Sequence, residues 1–149
     1  MTTDKTIDVL NTLITINNDR IEGYETASKE TEDIELKSLF SRFISTSQNA
    51  KRDLVHQVEM LGGDEAEGTK ITGKFFRVWM DVKSALTGND REAILGSCEF
   101  GEDKALETYN DAIENDAQYL SDQQRNMITE QKHLLKSDRD HVIALKNAL

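Results

Sequence analysis

The sequence predicts an all-α bundle of four long helices, and three observations carry that reading. No proline interrupts its 149 residues, and glycine is sparse. Charged side chains make up 31% of the chain, which suits long helices with solvated outer faces better than a β-rich fold. Four runs place apolar residues at spacings of three and four, the period of a helix with one buried side.

The first helix is expected from Thr3 or Asp4 to about Lys29. Its stripe is Ile7, Leu10, Leu13, Ile14, Asn17, Ile21 and Tyr24, with Glu25 at the edge and Glu22 further toward solvent. Thr31 to Asp33 form a turn, and Asp33 is placed to cap the next helix. That second helix carries Leu36, Phe40, Phe43, Ile44, Ser47, Leu54, Val55, Val58 and Leu61, with Lys51 on the same stripe. Gly62-Gly63 ends it. Residues 64–71 read as a loop. Thr72 then caps a shorter helix bearing Phe75, Phe76, Trp79, Val82 and Leu86, which Gly88 stops.

Asn89 with Glu92 resembles a capping box opening the third long helix, which runs to about Asn115. Ile94, Cys98, Gly101, Ala105, Tyr109 and Ala112 share its stripe, and Glu102 falls inside it. A carboxylate in such a seam is costly without a partner. Ser121 with Gln124 forms a second capping box. The last helix is expected to turn Met127, Leu134, Val142, Leu145 and Leu149 inward, together with Asp138 and His141.

Four helices of this kind make a four-helix bundle within one domain, residues 1–149. Short turns join the first two helices and the last two, so each pair is an antiparallel hairpin. The segment of about 62–88 between the pairs is long enough to travel the length of the bundle. The competing topology is a plain up-down-up-down bundle with the short helix as a lid.

A net charge of −10 makes nucleic acid and anionic membrane poor partners. One cysteine, Cys98, excludes an internal disulfide and a cysteine-based zinc motif, and its place on the stripe makes it an inert core thiol. The N-terminal run MTTDKTIDVL has neither a basic flank nor a long apolar stretch, so a cytoplasmic location is expected. No phosphate-binding glycine loop and no GxSxG elbow occurs, so no catalytic activity is assigned. Phe100 and Ile143 project away from their stripes. They mark either the underside of the crossover segment or a homodimer contact.

The runs INNDRIEGYETA, ELKSLF, WMDVKSALTG and CEFGEDKALETYNDA resemble a family of bacterial four-helix-bundle proteins classed as a domain of unknown function. The resemblance covers nearly the whole chain and implies a ferritin-like bundle. It implies no activity, substrate or catalytic residue.

Ferritin-like di-iron sites take a Glu from each of two helices and Glu-x-x-His from each of the other two. Glu22, Asp53-x-x-His56, Glu99 and Glu130-x-x-His133 repeat with that spacing, but helical phase turns Asp53, His56 and His133 outward. Solvated helix faces explain them better. A second set passes the phase test: Glu102, Asp138 and His141 on stripes, Glu25 at an edge and Glu22 beside it. Glu22, Glu25, Glu102, Asp138 and His141 are the metal-ligand candidates, for Fe, Mn or Zn. The rival account is a polar layer in which Asn17, Ser47, Lys51, Glu102, Asp138 and His141 satisfy one another and fix helix register. Two functions follow: a structural or interaction protein with an internal polar layer, or a carboxylate and histidine metal-binding protein in metal or oxidative-stress handling.

Overall fold

The computed structural model of the chain describes residues 2–66, 88 and 90–149, and every described element is helical. We number the long helices α1 (Thr2–Glu30), α2 (Ile34–Met60), α3 (Arg91–Asn115) and α4 (Asp122–Asn147). A 3-10 turn, Ala117–Tyr119, lies between α3 and α4. The short helix expected from Thr72 to Leu86, and Asn89 with it, lie outside the described residues. No helix among the described residues is long and apolar enough to cross a membrane.

Local chemistry sets the helix ends. Asp33 caps α2, its carboxylate accepting from the N–H groups of Glu35 at 2.9 Å and Leu36 at 3.2 Å. Beyond Leu61 the chain turns through Gly62 at φ 77°, a conformation costly to any residue with a Cβ. Gly63 follows because α2 ends hard against α1: a Cβ there would stand 2.8 Å from Ile7. The cap of α3 is Asp90, not the expected Asn89, and it accepts from Ala93 N–H at 3.1 Å. Ser121 and Gln124 close the capping box of α4 as expected.

The helices pack as two hairpins, α1 with α2 and α3 with α4, and the hairpins meet through α1 against α3 and α2 against α4. Side-chain contacts fix direction. Thr6 bonds Tyr119, Asn17 bonds Tyr109 and Arg20 bonds Glu102, so α1 and α3 are antiparallel. Gln57 meets Gln124 and Arg42 meets Ser137, so α2 and α4 are antiparallel too. It follows that α2 and α3 run the same way. The chain leaves α2 beside the start of α1 and enters α3 at the other end, where Arg91 pairs with Asp33 at 2.8 Å and with Glu35.

Among the described residues two large apolar clusters and a small third one, Ile16 with Ala105, fill the interior. Tyr24, Phe40, Phe43, Leu95, Cys98 and Val142 belong to the first. Leu10, Leu13, Leu54, Val58, Ile128 and Leu135 belong to the second. The third helix presents the expected stripe, Glu102 included. The last helix does not. Its buried side is Gln124, Ile128, Gln131, Leu135, Asp138 and Val142. Leu134 and Leu149 are exposed, and Met127 and Leu145 are only partly buried. In the doublets Met127-Ile128 and Leu134-Leu135 the second residue wins the core. That rotation carries Gln124, Gln131 and Asp138 to polar partners inside.

Candidate functional site

Between the two large apolar clusters each helix contributes one polar residue to a buried layer: Arg20 from α1, Ser47 from α2, Glu102 from α3 and Asp138 from α4. All four are at most 2% exposed. The stripe read from the sequence does not include Arg20, and long charged residues mostly lie outside. Its phase falls between the buried Ala27 and Leu13, at the border of the inner side of α1, and the neighbours of α1 supply acceptors.

A guanidinium has five N–H donors in one plane, and Arg20 uses all of them. Nε and Nη2 donate to Glu102 Oε1 at 3.3 and 2.9 Å. Nη2 also donates to Asp138 Oδ2 at 3.3 Å. Nη1 donates to Ser47 Oγ and to the Phe43 carbonyl, the latter at 3.5 Å. Aromatic rings flank the cation, with Tyr24 and Phe43 centred 5.6 and 5.8 Å from its carbon. Tyr24 Oη donates to the same Glu102 oxygen. Arg42, half exposed at the rim, brings a second positive charge to Asp138 Oδ1 at 3.4 Å. Two guanidiniums thus face two carboxylates, which removes the main cost of burying either sign alone.

A neutral chain of hydrogen bonds lies closer to the start of α1. Asn17 donates to Tyr109 Oη at 2.9 Å, Tyr109 to Gln131 Oε1 at 2.8 Å, and Gln131 to the Ala50 carbonyl at 3.3 Å. Each helix again has one part.

Burial and neighbouring charge set the protonation states. Burial pulls Arg20 down, but Glu102, Tyr24 and Asp138 carry it above its ordinary range, so it stays a cation. Burial pushes Glu102 up, against the pull of Arg20 and Tyr24. Burial pushes the Tyr24 and Tyr109 hydroxyls and the Cys98 thiol upward, Glu102 adding to the shift of Tyr24 and Cys98. These three stay neutral at ordinary pH. Among the described residues the layer presents no exposed nucleophile.

Of the five candidate ligands, the structure brings Glu102 and Asp138 together, through Arg20. Glu22 and Glu25 are exposed on α1. His141, expected on the inner side of α4, is exposed, and Arg42 reaches its Nδ1 from outside at 3.4 Å. Lys51, expected in the polar layer, is half-buried with no part in it. Asp53, His56, Glu130 and His133 are exposed, as helical phase requires. Among the described residues no group of three or more His, Cys, Asp or Glu side chains is arranged to hold a metal ion. The sequence reading missed Arg20, Arg42 and Gln131. One signal for Arg20 was present: two seam carboxylates, Glu102 and Asp138, demanded a cation, and Arg20 borders the stripe of α1.

Set against known proteins, residues 5–115 match the model of a family described as "Domain of unknown function (DUF2383)". No curated protein matches the chain.

Proposed function

This chain belongs to that family, and we propose that it is a non-catalytic, ferritin-like scaffold that works through its surface. Its interior carries an ion layer that holds the four helices in register. The observation that carries this reading is the Arg20 guanidinium, fully buried and spanning Glu102 and Asp138. A ferritin-like arrangement is supported by the parallel run of α2 and α3, which sets the end of α2 and the start of α3 at opposite ends of the bundle.

The donor set argues against the metal-binding alternative. A ferritin-like di-metal site needs carboxylates on all four helices and two inward imidazoles. At this level α1 offers a cation, α2 a serine and α4 Asp138-x-x-His141 with the imidazole outside. Arg20 supplies the positive charge that metal ions would otherwise supply.

Thermal melts with Fe(II), Mn(II) or Zn(II) added to the purified chain test this. We expect Tm to stay where it was. Arg20→Met strands the buried Glu102 carboxylate, leaves Asp138 only Arg42 at the rim, and should cost about 3–5 kcal/mol. Combining it with Glu102→Leu and Asp138→Leu should recover most of that loss, because a well-packed apolar replacement needs no counter-charge. Saturable metal binding that disappears in Glu102→Gln would overturn the reading.

A further inference from the structure

The outer side of α3 carries a row at every fourth position: Glu92, Gly96, Phe100 and Lys104. Four residues advance a helix by about 6 Å and about 40° past a full turn, so neighbours in the row share a face. Glu92 is exposed, and the Phe100 ring, 51% exposed, stands out as a knob. A Cβ at Gly96 would meet nothing within 4 Å, so a notch open to solvent lies one turn from that knob. Lys104 Nζ is held 5.2 Å from the centre of the Phe100 ring.

Along α3 the order is acid, notch, knob, base. Laid antiparallel on a copy of itself, the row meets its complement at every position. A two-fold axis crossing α3 at the level of residue 98 brings position 92 to position 104 and position 96 to position 100 of the second copy. Phe100 then enters the notch at Gly96 of the second copy, Lys104 reaches its Glu92, and both contacts occur twice. Rows of every fourth residue lie along one another when two helices cross at about 50°.

A chain of net charge −10 repels its own copies, so a contact between them needs a face that carries little of that charge. Three ion pairs border the row and cancel: Arg139 with Asp103, Lys146 with Glu99 at 3.0 Å, and Lys104 with Glu107 at 3.3 Å. The Glu92 carboxylate has no partner among the described residues. Lys104 is free to supply one. Its bond to Glu107, itself 59% exposed, is a weak surface pair, and an ammonium has three donors to share.

We infer that this row is the contact through which two copies of the chain form a two-fold dimer. The occupant is a second copy because the row complements itself in shape and in charge, whereas a partner of one charge sign would suit only one end of it. The inference rests on the reading that the chain acts through its surface.

The test is sedimentation equilibrium of the full chain. The expected result is a monomer–dimer equilibrium with a Kd of about 10–100 μM, the weak range that one helix crossing supports. Phe100→Ser and Gly96→Leu should each raise that Kd about tenfold or more. Phe100→Ser should melt with the parent, since the ring is exposed. Gly96→Leu should melt no lower, since leucine favours a helix over glycine and its Cβ points into open space. Glu92→Lys and Lys104→Glu should each sediment as monomers, yet dimerise when mixed, because each copy then supplies the charge that the other lacks. A monomer throughout that concentration range overturns the inference and leaves the face to another partner. A dimer indifferent to Phe100→Ser, or charge variants that stay apart when mixed, overturns it as well. Such a failure leaves the ion layer untouched, because that reading stands or falls on metal titration and the Arg20 series.

Discussion

Asp19 is 2% exposed, and neither of its carboxylate oxygens has a hydrogen-bond partner among the described residues. Burial, and then Glu22, push its pKa from 3.8 to about 7. The folded chain therefore holds this proton more tightly than the unfolded chain does. The stability tied to it is complete below about pH 4 and is lost as pH rises through about 7. Asp19→Asn should accordingly stabilise the fold at pH 8, by about 2–4 kcal/mol, and change little at pH 4. Melts of both proteins across that range would show the gap opening with pH; a constant gap would mean that Asp19 never changes its charge. Single residues were the hardest scale to read in the sequence. Glu102 and Asp138 were legible as seam carboxylates because apolar neighbours at helical spacing fix their phase. Their counter-ion was not, since Lys51 lay on a stripe and Arg20 beside one, and only the packing of four helices decides between them. Tyr24 was legible as a buried ring but not as a donor to Glu102, because the partner is 78 positions away.

At the scale of elements, helix ends proved more readable than helix rotation. Asp33 and the pair Ser121-Gln124 act through bonds to backbone a few residues away, so local sequence suffices. Asp33 does a second job, pairing with Arg91 at the start of α3. Asp33→Ala should therefore cost about 1–2 kcal/mol, the sum of a lost cap and a partly exposed ion pair. Asp33→Asn keeps the cap and should cost a few tenths, a difference that urea denaturation resolves. The rotation of α4 was misread because its apolar doublets permit two phases. Partners on other helices break the tie: Gln57 for Gln124, Tyr109 for Gln131 and Arg20 for Asp138. None of them is visible along α4 itself.

For the whole molecule, the two hairpins and the all-helical character were legible from turn lengths and periodicity. The order of helices around the bundle was not determined by either. Antiparallel contact between α1 and α3 separates the observed arrangement from an up-down-up-down bundle. Thr6 lies beside Tyr119 here, whereas the alternative topology would put them at opposite ends of a helix about 40 Å long. Cysteines introduced at positions 6 and 119, in a Cys98→Ala background, should be joined in high yield by a short bis-maleimide. Failure to join would reverse α3. The register between the hairpins resides in Arg20, Asn17, Tyr109 and Arg91, side chains that clasp one hairpin to the other. Relatives are therefore free to vary the length of the connecting segment, because doubling a loop costs only about 0.6 kcal/mol in closure entropy. Insertions and deletions between the hairpins should accumulate over generations, while the guanidinium and its two acids change only in concert.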